Sequence, residues 1–199
     1  AGWKAGVGSV IGTDPLVMAE AELIVLWGMN AVATQINVMC HIAKARKKHG
    51  AKLVVIDPHR TPTAEAADLH IAPKPGTDDA LACAMINVLL SENLADREFL
   101  AAHCDFDDEV ERHFADKTPA WAAEITGLRA EDIVSLARLY GKTERSFIRL
   151  GVGVSRSRNG AAKVHAISAL PAVSGAWARP GAGALLATGD AFAHLDRTL

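Results

Sequence analysis

Two short runs constrain this chain more than any other feature. Leu23-Ile24-Val25-Leu26-Trp27 is apolar at every position and stops at Gly28, and Leu53-Val54-Val55-Ile56, entered through Lys52, stops at Asp57-Pro58. A strand with one wet face alternates apolar and polar residues. Runs with no alternation are strands covered on both faces, as in a parallel sheet flanked by helices. The segment between them has helical spacing: Ile36, Val38, Met39, Ile42, Ala43 and Ala45 fall largely on one side of residues 34–49. Lys44, Arg46, Lys47 and Lys48 crowd the end of that helix, where cations suit the dipole, and Gly50 stops it. Strand, helix and strand form a β-α-β unit of right-handed crossover. The fold class expected is therefore α/β, a Rossmann-like three-layer domain with a mostly parallel sheet.

The remaining chain continues the pattern. A third strand at 69–72 ends at Pro73-Lys74-Pro75-Gly76, and Thr77 or Asp78 then caps a helix reaching about residue 90. Residues 96–140 read as several helices with turns near 118–119 and 126–127, and the acidic cluster Asp105, Asp107, Asp108, Glu109, Glu111 reads as a solvated face. A last strand at 146–150 ends at Gly151-Val152-Gly153, and a helix runs from 159 or 160 to 174. In a doubly wound sheet of order 3-2-1-4, the loops after all four strands share the carboxyl edge. The topological switch point then falls between the first and fourth strands, with Gly28 facing Gly151.

Composition limits what this edge can serve. Half of the 199 residues are hydrophobic, and a chain of this size removes roughly 70% of its unfolded surface on folding, enough for one full core or two small ones. The 21 Lys and Arg against 23 Asp and Glu leave a formal charge of −2, so no net basic field draws the chain to nucleic acid or anionic lipid. The most apolar stretch, 166–177, is broken by Pro171 and Gly175, which argues against a membrane span. Cys40, Cys83 and Cys104 are odd in number and far apart, with no disulfide framework or zinc spacing. They fit a reducing compartment, which favours the cytoplasm over the periplasm. The start at Ala1 without a Met and the Gly/Ala-rich tail at 181–199 read as the ends of an internal fragment of a longer polypeptide.

Several chemistries fail on motif. Gly6-Val7-Gly8 has Ile11 and Gly151-Val152-Gly153 has Arg156 where a dinucleotide fingerprint needs its third glycine, which disfavours an NAD-dependent dehydrogenase half. There is no P-loop, no G-x-S-x-G elbow, and no ligand spacing among the eight histidines. What remains is a nucleotide-containing ligand at the carboxyl edge. Glycines let amides approach a phosphate, and an Asp closing the second strand suits a ribose hydroxyl, although any tight β-α turn also uses glycine. Arg156 and Arg158, directly after the fourth strand, are either forked phosphate donors or solvated loop arginines.

The loops together, in their order, resemble the molybdopterin oxidoreductases of the dimethyl sulfoxide reductase and formate dehydrogenase family. The likeness rests on Leu-Ile-Val-Leu-Trp-Gly-Met-Asn at 23–30, Gly-Ala-Lys-Leu-Val-Val-Ile-Asp-Pro at 50–58, Thr-Pro-Thr-Ala-Glu-Ala-Ala-Asp-Leu-His at 61–70, Pro-Gly-Thr-Asp at 75–78, and the later Gly-Val-Gly with Asn159-Gly160. The resemblance implies a bis-molybdopterin guanine dinucleotide cofactor carrying Mo or W, with this stretch cradling one guanine dinucleotide. It implies that Gly28 and Asn30 line the phosphate and ribose region, that Asp57 with Pro58, Arg60 and Thr61 holds the nucleoside, and that Gly76 and Asp78 reach guanine. Gly151 and Gly153 would approach from the other side of the switch point, with Arg156 near the pterin.

This chain departs from the family's pattern in three places. Ala31 follows Asn30 where Pro is frequent, His59 precedes Arg60 where Arg often follows Asp-Pro directly, and Arg156-Ser157 stands where many relatives have Gln-His. The resemblance further implies an iron–sulfur cluster, a metal-ligating residue and a second dinucleotide domain elsewhere in the same polypeptide, together with an electron-transfer partner. This stretch alone would then be inactive. On this reading residues 13–150 form the Rossmann-like domain, while 1–12 and 151–199 belong to an adjoining α/β domain. The competing expectation is a free-standing nucleotide-binding α/β domain without redox chemistry.

Overall fold

The computed structural model describes residues 1–186. In chain order its elements are α1 (Gly2–Val7), β1 (Leu23–Trp27), α2 (Ala31–Thr34), α3 (Ile36–His49), β2 (Lys52–Ile56), α4 (Pro62–Glu65), β3 (Leu69–Ile71) and α5 (Asp78–Ser91). There follow α6 (Arg97–His103), α7 (Asp108–Ala115), α8 (Pro119–Thr126), α9 (Ala130–Lys142), β4 (Ser146–Leu150), α10 (Gly160–Val173) and β5 (Gly183–Leu186).

The five strands form one parallel sheet of order β3-β2-β1-β4-β5. The 3-2-1-4 order is present, and the switch point lies between β1 and β4. The fifth strand is a finding beyond the sequence reading. Gly-Ala-Leu-Leu offers no alternation or β-branched signal, and it is recruited because the free edge of β4 pairs with it, Phe147 opposite Gly183 through Leu150 opposite Leu186. Residues 160–186, past the boundary expected at 150, thus add α10 and β5 to the same layers. The part of the Gly/Ala-rich tail at 187–199 lies outside the described residues.

Burial on both faces explains the uninterrupted apolar runs. Leu23, Val25, Trp27, Val54, Ile56, Ile148 and Leu150 face one layer, packed with Leu81 and Met85 of α5, Tyr140 of α9 and Ile167 of α10. Ile24, Leu26, Leu53, Val55 and Phe147 face the other, covered by Val38, Ile42 and Ala45 of α3 and by Met18. α3 is amphipathic because it has water on its outer side. α5 is apolar nearly all round because α8, α9 and α10 pack around it. The helix expected over 34–49 starts later, with a separate short turn α2 and a break at Gln35, whose φ of −146° and ψ of 63° are not helical. α1 lies against α10, where a Cβ on Gly2 would fall 1.9 Å from the Ala161 carbonyl oxygen, and Trp3 meets Trp177 edge to face.

Candidate functional site

Parallel strands put the loops after β1, β2, β3 and β4 at one edge. At its centre the backbones of two loops touch. Gly151 N–H donates to the Trp27 carbonyl at 2.7 Å, Gly153 N–H donates to the Gly28 carbonyl at 3.2 Å, and Gly28 N–H donates to the Ile56 carbonyl at 2.8 Å. A Cβ on Gly151 would stand 2.2 Å from the Gly28 oxygen, and one on Gly153 would stand 2.6 Å from it. Gly28 has φ +64°, and a side chain there would meet Val154 Cγ2 at 2.6 Å. These three glycines are therefore required by the approach of β1 and β4 loops to each other, whatever binds above them.

The β2 side of the edge is a set of local turns. Asn30 Oδ1 accepts from Thr63 Oγ1 at 2.8 Å, and Thr63 Oγ1 accepts from Val32 N–H at 3.0 Å, which pins the β1 loop to α4. Asp57 Oδ1 accepts from His59 N–H at 2.9 Å, and the Asp57 carbonyl meets His70 Nε2 at 2.9 Å. Pro58, His59 and Arg60 are exposed. Thr61 is buried and caps α4, its Oγ1 accepting from Ala64 N–H at 3.3 Å. Arg156 is exposed in the 3-10 turn Val152–Arg156 and makes no ion pair among the described residues.

On the α5 and α10 face the structure gathers a polar group that the sequence reading only half anticipated. Asp78 opens α5 and is 9% exposed, and its Oδ1 accepts from the Trp27 indole N–H at 2.8 Å. Burial raises the Asp78 carboxyl above its usual range. The Trp27 donor, the residue's own amide and the Lys163 charge oppose that rise, while Asp79 adds to it. Lys163 of α10 is fully buried and donates from Nζ to Ser157 Oγ. A Cβ on Gly76, whose φ is +86°, would lie 3.6 Å from Lys163 Nζ and 3.9 Å from Ser157 Oγ. The loop after β3 is thus brought to the loop after β4, while Asp57, Pro58 and Arg60 stay at the β2 end.

Trp27 and Lys163 were not singled out from the sequence as site residues, and Ser157 only as a departure from the family's pattern. Lys163 had a legible signal, a lone cation in the apolar stretch of residues 160–173. Arg149, in the apolar run Ser-Phe-Ile-Arg-Leu of β4, had the same one. A cavity of about 720 Å³ lies away from this edge, among α1, α5, α6, α7 and α10, with Cys83, His103, Cys104, His113 and His165 in its wall. Among the described residues no cluster of three His, Cys, Asp or Glu could hold a metal ion, and no helix is long and apolar enough to cross a membrane.

A family profile described as molybdopterin oxidoreductase matches residues 3–194. The chain belongs to the molybdopterin oxidoreductase family. Its relatives in the family agree with the loop resemblance. It is 42% identical over 184 residues to a probable oxidoreductase, YoaE, of Bacillus subtilis, covering 92% of this chain and 27% of that protein. It is 34% identical to the dimethyl sulfoxide reductase DmsA of Escherichia coli and 34% identical to formate dehydrogenase H of the same organism, each match covering 82% of this chain and 23% of the relative. Among solved structures, acetylene hydratase from Pelobacter acetylenicus superposes with a TM-score of 0.72 at 26% identity, covering 86% of this chain and 25% of that one. The chain spans about a quarter of the length of the curated relatives it matches.

Proposed function

We propose that the carboxyl edge of the sheet binds one guanine dinucleotide of a bis-molybdopterin guanine dinucleotide cofactor. The polypeptide that contains this stretch would carry Mo or W on that cofactor. The observation that carries the reading is Asp78, a nearly buried carboxylate at the mouth of a loop, reached among the described residues by the Trp27 indole and its own amide as donors. A carboxylate has about four acceptor sites. Those left over suit the adjacent N1–H and N2–H donors of guanine, which adenine does not offer, and a charge-assisted pair in a desolvated place is the strong form of such a bond.

The other residues divide the work of holding the ligand. Gly76 keeps the loop free of a side chain beside Asp78, and Asn30, fixed through Thr63, presents its amide at the end of β1. Asp57, with its carboxylate set by the His59 turn, and exposed Arg60 suit ribose hydroxyls and phosphate at the β2 end. Gly28, Gly151 and Gly153 keep the floor flat, and Arg156, exposed and without an ion pair among the described residues, stands on the far side of the switch point. When bound, the cofactor supplies two-electron redox or oxygen-atom transfer at its metal, and the protein supplies placement and electrostatics. An iron–sulfur cluster, the metal ligand and the second dinucleotide domain are assigned by the same proposal to the rest of the polypeptide.

The test is nucleotide selectivity. Calorimetry should show the chain binding guanosine diphosphate in preference to adenosine diphosphate, and Asp78→Ala should cost about tenfold or more in the guanine affinity. The exposed change Glu109→Ala should leave it alone. Equal guanine affinities for Asp78→Ala and the parent would end the assignment.

A further inference from the structure

On the sheet face opposite Asp78, we infer a subsite for an oxyanion of the phosphate or pyrophosphate class, formed by Arg149 and the first turn of α3. Arg149 is the fourth residue of β4, in register with Leu26 of β1 and Leu185 of β5. Strand alternation places it with Phe147 on the α3 face, while Ile148 and Leu150 point to α5 and α10. It is 9% exposed, the only arginine of the described residues that is buried.

Its partners among the described residues are all neutral. Nη2 donates to Gln35 Oε1 at 2.9 Å, Nη1 donates to the Leu185 carbonyl at 3.2 Å and, at 3.5 Å, to that of Leu150. Nε is buried and has no partner among the described residues. Arg46, Arg97, Arg129, Arg138, Arg145 and Arg179 each hold a carboxylate, yet among the described residues none lies within 4.0 Å of Arg149. Burial without a counter-charge lowers the guanidinium's proton affinity from its ordinary value. A desolvated cation in that condition is costly unless an anion completes it.

The second observation is where Gln35 sits. It is the residue that precedes α3, a 14-residue helix with no side-chain cap, no acidic residue in its first turn and four basic residues in its last. The positive end of the helix dipole and the guanidinium therefore converge on one place. Nε and Nη2 lie on one side of the guanidinium fork, and among the described residues Gln35 is the one partner on that side. Two oxygens of a phosphoryl group match that edge, with the Gln35 carboxamide oxygen standing where one of them would bind. Val32 and Ile36, on either side of Gln35 in sequence, are exposed.

This subsite lies across the sheet from the guanine reading and is tested separately from it. Inorganic pyrophosphate, titrated into the chain at constant ionic strength, should bind saturably by calorimetry and raise the thermal midpoint. Arg149→Gln should weaken that binding about tenfold or more. Because Arg149 also ties β5 to the sheet, Ile36→Glu serves as a second variant: at a position 64% exposed it should fold normally, place a carboxylate on the helix N-terminus and weaken pyrophosphate about tenfold, while Ile36→Gln does not. Competition by guanosine diphosphate would mark the pyrophosphate as nucleotide-borne, and its absence would mark a free oxyanion, each consistent with the site. Guanosine, which has no phosphate, should bind all three variants like the parent. Absence of saturable pyrophosphate binding, or equal binding by Ile36→Glu and Ile36→Gln, would overturn the subsite.

Discussion

Gly151→Ala tests the central packing claim without any ligand. The added Cβ would lie 2.2 Å from the Gly28 carbonyl oxygen, 2.4 Å from Met29 Cβ and 2.8 Å from the Gly28 carbonyl carbon. None of these is the free end of a side chain, so the two loops must separate. Overpacking of this kind costs about 1–3 kcal/mol, and separation also weakens the 2.7 Å bond from Gly151 N–H to Trp27, worth about 0.5–1.5 kcal/mol. The sum is about 3 kcal/mol, which for a chain near 200 residues lowers the thermal midpoint by roughly 6–12 °C. The comparison is Gly50→Ala, where φ is +65° but nothing lies within 4 Å of the new Cβ. That variant carries the left-handed backbone penalty alone, about 1–2 kcal/mol. Scanning calorimetry or urea unfolding of both reads the difference. If Gly151→Ala is no less stable than Gly50→Ala, the β1 and β4 loops do not approach as described, and these glycines must be explained by a ligand instead.

Two further outcomes follow from individual groups. Burial raises the folded-state value of Asp78 above its ordinary 3.8, so between the two values the native chain binds more protons than the unfolded one, and this group's contribution to stability falls as pH rises through that window. Asp78→Asn, which lacks the charge, should therefore gain stability relative to the parent between about pH 3 and about pH 7 in urea unfolding, and an unchanged difference would refute the raised value. The lowered carboxylates, Glu20, Glu92, Glu111 and Asp132 held down by ion pairs and Asp68 held down against its burial by the Leu53 N–H and then Arg46, lose their contributions in acid equally in both proteins and cancel. In a thiol-labelling assay, exposed Cys40 should react first, and Cys83, whose thiol burial pushes up to about 11, should react at least about tenfold more slowly; equal rates would contradict its burial.

The family and the edge were legible because they reside in local signals. An apolar pentapeptide followed by Gly28, or by Asp57-Pro58, states both a doubly covered strand and the loop that ends it. Asp78 was legible as the start of a helix that follows a loop. That Trp27 is its donor was not, since Trp27 is 51 residues away and reads only as the end of an apolar run. Gly151 and Gly153 were legible as glycines that something must approach closely, but the sequence suggested a phosphate, and the approaching atom in the fold is the Gly28 carbonyl oxygen. β5 was not legible, because Gly-Ala-Leu-Leu becomes a strand only through pairing with β4.

By itself, then, the sequence determined four of the five strands, which loops share an edge and to which family the chain belongs, because periodicity and short loop motifs are set by neighbours along the chain. Tertiary structure decided which polar groups meet: Asp78 with Trp27, Lys163 with Ser157 under Gly76, and Arg149 with Gln35 at the head of α3. Those pairings depend on strand order and on which face of the sheet each side chain takes. A charged residue within an apolar run tells only that it will be buried, and the fold alone supplies the partner, as Gln35 for Arg149.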